Sequence, residues 1–269
     1  MKRTADGWIA SSMRSLDGMR VYQPSTVDEA VAVLERDDGA PVVVAGGTDL
    51  VAQFNEGLTP SDLLALRGIG ALRRIAVDDG HLRIGSCVTH DTGSRSDVVR
   101  SVAPGFAAAW GRIANVRVRM TATIGGNVMA RRTRYEMPIL LDALEAQLNF
   151  SGPLLVEIAI PLAGLIALDY DRSLRPIMTQ AACLRRHSDG SLSLRTTVGT
   201  EALAPRGFTT PIADPDLAAL PNAADALSAE AYRALPDDFA DPYTSNAYVR
   251  RAGRAILKRQ LERLARATS

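Results

Sequence analysis

Two short stretches hold residues whose types and spacing could do chemistry. "PVVVAGGTDL", residues 41–50, runs four apolar residues into Gly46 and Gly47, followed by Thr48, Asp49 and Leu50. "TATIGGN", residues 121–127, ends in a second pair, Gly125 and Gly126, followed by Asn127. A strand that delivers successive amides into a glycine turn makes a concave nest of N–H donors, which suits a phosphate. Glycine tolerates positive φ and lets a ligand approach the backbone closely. Thr48 adds a hydroxyl donor. One such turn is weak evidence, but two of them can grip a pyrophosphate from both sides. Neither stretch is a Rossmann fingerprint or a P-loop, yet together they predict a dinucleotide site.

No rival constellation competes with them. His81, His90 and His187 lack zinc-like spacing, and each reads as a surface or capping residue. Cys87 and Cys183 form no CxxC pair, which argues against a disulfide scaffold and against an iron–sulfur cluster on this chain. Gly68 and Gly70 in "RGIGALRR" form a partial GxGxxG without the strand–loop–helix context and read as a turn before a strand. No Ser/His/Asp or Cys/His arrangement stands out, so neither catalytic residues nor a metal site is expected. The chemistry then falls to a bound cofactor.

These residues need elements to position them. "RVYQP" reads as a short strand. Thr26 and Glu29 form a capping box for a helix whose apolar face is Val27, Ala30, Val31 and Leu34. "PVVVA" is a buried strand, and the apolar residues from Leu50 to Phe54 predict a short helix after the first glycine pair. "LRRIAV" and "HLRIG" flank an Asp-Asp-Gly turn, a hairpin signal. "APGFAAAWGRI" reads as helix, "YEMPILLDALEAQLNF" as helix then strand, and "LLVEIAIP" as strand. Residues 161–175, with Pro161 and Gly164, read as an irregular linker. A second hairpin turns at Asp189-Gly190, and Val249, Ala252, Ile256, Leu257, Leu261 and Leu264 stripe a closing amphipathic helix. The arginines of that helix read as its solvated face.

Length and charge bound the rest. A chain of 269 residues can bury one good core or two modest ones. With 31 basic against 30 acidic residues, nothing points to a nucleic-acid or membrane surface. No run approaches the ~20 apolar residues of a membrane span, and the N-terminus lacks a signal-peptide core, so a cytoplasmic location is expected. Residues 1–18 read as an N-terminal extension, with Met19 as the domain start.

"AGGTDL", "RIGSCVTH" and "TIGGN", in this order, resemble the signature segments of the FAD-binding medium subunit of the molybdenum hydroxylases, the group of carbon monoxide dehydrogenase and xanthine dehydrogenase. The resemblance covers residues 19–160 well and continues more loosely to "YVRRAGRAILKRQLERL". It implies an α+β fold: a two-subdomain FAD-binding domain of the vanillyl-alcohol-oxidase type, with subdomains over about 19–72 and 73–160. The 161–175 linker and a smaller C-terminal α+β domain over 176–269 would follow.

Carried over by residue, the resemblance assigns FAD contacts to Val44, Ala45, Gly46, Gly47, Thr48, Asp49 and Leu50 in the first loop. The second loop gives Thr123, Ile124, Gly125, Gly126, Asn127, Met129 and Ala130, and Ile113 matches an apolar position near the cofactor. It also implies an electron-transfer role in a heterotrimer, paired into a dimer of heterotrimers. A large partner subunit would carry molybdopterin and a small one two iron–sulfur clusters.

The sequence departs from the family where Ala-Asp/Ser-Pro and then an Asp usually follow the second loop. Here the positions read Arg131, Arg132 and Thr133, then Glu136, whose longer arm must be placed differently. A family lysine near the cofactor is missing, and Arg172 is the nearest candidate. The run Arg131–Arg132–Thr133–Arg134 is either a solvent-facing turn or a positive field that stabilises anionic reduced flavin or docks a partner subunit. Two other readings stay open: a self-standing flavin oxidase or reductase of this fold, and a non-redox assembly module that has lost FAD.

Overall fold

The computed structural model describes residues 19–37, 39–58, 60–133, 135–173, 178–200, 203–213, 217–235, 237–238 and 245–268. The extension expected over 1–18 lies outside them, as does Arg134.

The chain begins with strand β1 (Arg20–Tyr22), helix α1 (Val27–Leu34), strand β2 (Val42–Val44), helix α2 (Thr48–Asn55) and strand β3 (Asp62–Ala65). The strands pair in parallel in the order β1-β3-β2, with Leu63 and Leu64 of the central strand buried. Parallel neighbours need helical crossovers, and α1 and α2 supply them. α1 opens on the expected capping box: the Glu29 amide donates to Thr26 Oγ1 at 3.2 Å, and the Thr26 amide to Glu29 Oε2 at 3.4 Å. Its buried Ala30 packs with Leu64, Leu66 and Ile69.

A second unit opens with the expected hairpin, β4 (Ile75–Asp78) and β5 (His81–Gly85). Asp79 and Gly80 take φ values of 47° and 68°, the pair of left-handed residues that a tight two-residue hairpin turn requires. Six short helices follow: α3 (His90–Arg95), α4 (Asp97–Val102), α5 (Pro104–Trp110), α6 (Val116–Arg119), α7 (Ile124–Met129) and α8 (Met137–Ala143). Then β6 (Gln147–Ser151) and β7 (Leu154–Pro161) complete an antiparallel sheet of order β4-β5-β7-β6. Its core centres on Trp110, which stacks on Phe106 at 5.0 Å and donates from Nε1 to His90 Nδ1 at 2.8 Å. His90 is fully buried, which corrects the surface-or-capping reading for that residue. Burial, aided by the Arg119 charge, pushes its pKa down to about 4.

The linker expected over 161–175 is also corrected. After a turn at Gly164 (φ 65°), Leu165–Arg172 forms strand β8, paired along its length with β9 (Met178–Arg186). Pro161 and Gly164 signalled a break, but it lasts only for the turn between β7 and β8. With β10 (Leu192–Thr200) and β11 (Arg206–Ile212), these strands form an antiparallel meander of order β11-β10-β9-β8. α9 (Leu220–Ala231) and α10 (Asn246–Thr268) cover one face of it, and α8 and α5 lie against the other.

β9 shows why. Side chains alternate faces along a strand. Ala181 and Cys183 join the core of the second unit, while Ala182 and Leu184 join the core under α9 and α10. Val249, Ile256, Leu257, Leu261 and Leu264 of the α10 stripe are buried there, with Ala252 half-buried beside them.

Candidate functional site

A cleft of about 580 Å³ separates the parallel unit from α6 and α7. That volume is ordinary for a small-molecule or cofactor site. Its first wall is β2, the glycine turn and the start of α2. Gly47 occupies the N-cap of α2 at φ 74°, a conformation that favours glycine, and no side chain caps the helix. The first-turn amides of Thr48, Asp49 and Leu50 therefore have no intrahelical or capping acceptor. Gly46 has another task. A Cβ there would stand 2.1 Å from the Thr121 carbonyl oxygen, so the loop backbone lies directly on the segment leading into α7.

The second glycine pair behaves differently. Gly125 and Gly126 lie in the first turn of α7, with Thr123 as its N-cap and neither glycine at positive φ. The Gly126 amide donates to Thr123 Oγ1 at 3.1 Å and the Gly125 amide to the Ser86 carbonyl at 2.9 Å. The Ile124 and Asn127 amides are likewise engaged, by Val88 O and Thr123 O. The expectation of two matching nests is thus corrected: only the first loop leaves its amides unspent, because the second spends its own on its cap and on the segment after β5. What this wall offers is the Asn127 side chain, whose buried Oδ1 has no hydrogen-bond partner. A buried orphan acceptor is costly, and a ligand donor would relieve it.

Two ionic clusters frame the cleft. Asp49 Oδ1 accepts from Tyr135 Oη at 2.7 Å and from Arg132 Nε at 3.2 Å, and Oδ2 accepts from Gln53 Nε2 at 2.5 Å. Partial burial works against ionisation of Asp49, but the bonds from Tyr135, Gln53 and Arg132 outweigh it and hold the carboxyl below its usual range. Glu136 accepts from Tyr170 and from Arg172, both on β8.

Of the residues assigned by sequence, all but Ile124 and Arg172 line the cleft. Ile124 points into the core and is fully buried. Arg172 stands outside the lining and reaches it only through Glu136. Within the arginine run, Arg131 is exposed at φ 51°, whereas Arg132 turns inward to Asp49, so the whole run is not a solvated turn. Sequence reasoning missed Gln53, Ser86, Tyr135 and Leu155 of the lining. Gln53 was accessible as the i+4 partner of Asp49 on one helix face. Ser86, in the turn after β5, lies inside the signature segment "RIGSCVTH" and could have been carried over from it, whereas Leu155 arrives on β7 and nothing in its local sequence signals the cleft.

A two-lobed α+β body with a glycine-lined cleft between its lobes is the architecture of a flavin-dinucleotide domain. Residues 16–177 match the family model described as the FAD binding domain in molybdopterin dehydrogenase, and the chain belongs to that family. Among relatives, it is 27% identical over 127 residues to the caffeine dehydrogenase subunit beta of Pseudomonas sp. (strain CBB1), covering 47% of this chain and 43% of that protein. It is 31% identical over 135 residues to the carbon monoxide dehydrogenase medium chain of Afipia carboxidovorans, covering 49% and 46%. The alignments thus span about half the length of the curated relatives. The fold is shared with quinoline 2-oxidoreductase from Pseudomonas putida 86, at a TM-score of 0.76 and 22% identity, over 93% of this chain and 98% of that one. Carbon monoxide dehydrogenase from Hydrogenophaga pseudoflava is similar, at a TM-score of 0.74 over the same shares.

Among the described residues, no helix is long and apolar enough to cross a membrane, and no group of His, Cys, Asp or Glu could hold a metal ion.

Proposed function

We propose that this chain is the FAD-carrying electron-transfer subunit of a heterotrimeric molybdenum hydroxylase. One observation carries the reading: in a chain of this family, the uncapped amides of α2 and the orphan Asn127 Oδ1 face one cleft from opposite walls. The amides suit a diphosphate, with the helix dipole adding to their pull. Asn127 supplies an acceptor that a flavin or ribose donor would satisfy, so the residues present fit the group. Gly46, Gly125 and the apolar lining from Ile113 and Leu155 hold the walls close and exclude water. When bound, FAD supplies the redox chemistry by accepting and releasing electrons, and the chain supplies binding and orientation.

Large molybdopterin and small iron–sulfur partner subunits, paired as a dimer of heterotrimers, complete the proposal, with the complex in the cytoplasm. A subunit without an acid–base or nucleophilic constellation needs an outside electron source. The test is purification with added FAD, followed by stoichiometry from flavin absorbance and by co-purification with the two partner chains. One FAD per chain, released by acid precipitation, and a stable ternary complex are expected. A preparation that stays colourless with excess FAD overturns the reading, whereas turnover of a donor by the chain alone supports a self-standing flavoenzyme.

A further inference from the structure

The sequence assigns Asp49 to the cofactor, but its carboxylate is already committed. Both oxygens are occupied by Tyr135, Arg132 and Gln53, and the side chain is only 17% exposed. A carboxylate turned instead toward a diphosphate on the α2 amides would repel it. The partners matter more than the count of bonds. Gln53 shares α2 with Asp49 and only steadies it. Arg132 and Tyr135 lie 83 and 86 residues away, on the segment between α7 and α8 that belongs to the opposite wall. That segment is held at its far end too, since Glu136 is bound by Tyr170 and Arg172 of β8. It begins at Arg131 in a left-handed conformation, so a non-glycine residue is held there by its surroundings.

We propose that Asp49, Arg132 and Tyr135 form a clasp between the two walls of the cleft, which must open for the dinucleotide to enter or leave. Asp49 is then a positioning residue that acts on the walls rather than on the ligand. The inference rests on the FAD reading for its ligand, but the clasp itself is a property of the chain.

Two measurements test it. In flavin binding followed by fluorescence, Tyr135→Phe and Arg132→Gln should speed both association and dissociation of FAD, by about fivefold for a single lost hydrogen bond, with a smaller change in Kd. The double variant Asp49→Asn/Arg132→Gln should be less than additive. Faster dissociation with unchanged association would make these residues ligand contacts, and rates within error of the parent would leave them no role; either result overturns the clasp. The second measurement needs no flavin. In the unliganded protein, amide exchange over residues 48–55 and 131–136 should quicken in Asp49→Asn, with far-ultraviolet circular dichroism confirming the fold. Unchanged exchange overturns the clasp whether or not FAD binds. Failure of the parent protein to bind FAD, with exchange responding as expected, overturns the FAD reading alone.

Discussion

Arg172 Nη1 donates to Glu136 Oε1 over 3.0 Å, and Tyr170 Oη donates to the same oxygen over 2.5 Å. One residue just before α8 is thereby tied to two on β8. Tyr170 is buried, and burial together with the Glu136 carboxylate pushes its pKa well up, so it stays a donor. Arg112 braces it from behind, with its guanidinium 5.5 Å from the ring centroid and Nη1 donating to the Tyr170 carbonyl at 2.9 Å. The two donors to Glu136 differ in weight. Tyr170→Phe leaves a mostly buried carboxylate short of a partner and should cost about 1–2 kcal/mol. Arg172, with 45% of its side chain exposed, should cost under about 1 kcal/mol when changed to Gln. Urea unfolding of the two variants decides the order, and an equal or reversed loss would contradict it.

Gly46 and Gly126 should respond unequally to a methyl group. At Gly46 the Cβ meets backbone, Thr121 O at 2.1 Å and Ala122 Cα at 2.9 Å, so neither side can yield cheaply. Gly46→Ala should destabilise the fold by about 2 kcal/mol or more, as overpacking does. At Gly126 the Cβ meets only Thr123 Oγ1, at 2.9 Å. Gly126→Ala should disturb one capping bond, at about 1 kcal/mol, and leave a folded protein. Thermal melts of the two variants give the comparison.

His90 should make the protein acid-sensitive. Its folded pKa of about 4 lies below the unfolded value of 6.5, so folding favours the neutral ring. That stability is complete above about pH 6.5, falls as the pH drops from there, and levels off below about 4. The full loss is about 3 kcal/mol. Urea midpoints between pH 7 and 4.5 should therefore decline less steeply in His90→Gln than in the parent; parallel declines would show that other groups carry the slope.

Ala114 lines the cleft at φ 50°, with Arg119 Nη1 donating to its carbonyl at 2.9 Å and to that of Ile113 at 3.1 Å. A side chain in this left-handed conformation is strained, and Ala114→Gly should stabilise the protein by about 0.5–1 kcal/mol. Differential scanning calorimetry reads it directly, and a lowered melting temperature would mean that the alanine methyl contributes packing worth more than the strain.

Local signals carried the elements well. The capping box at Thr26 and Glu29, the Asp79-Gly80 turn and the apolar stripe of α10 each depend on residues close in sequence, and each formed as read. The two glycine pairs proved to be structurally unlike. Gly46-Gly47 ends a strand at an uncapped helix, whereas Gly125-Gly126 follows a threonine that caps its own helix. The pair alone does not distinguish these, although Thr123 three residues before Gly126 is a capping spacing. The contacts around Asp49 and Glu136 were out of reach. Apart from Gln53 beside Asp49, they join residues 34 to 86 positions apart, and register between distant segments leaves no trace in local periodicity.

β9 belongs to two cores at once, since Ala181 and Cys183 serve one and Ala182 and Leu184 the other. Among the described residues, β9 therefore offers no seam at which the C-terminal third could be exchanged for that of a relative. A graft would have to match small residues against α5 and α8 on one face and the α9–α10 pair on the other. The two lobes and the sheet behind them are expected to be inherited, and lost, as one block.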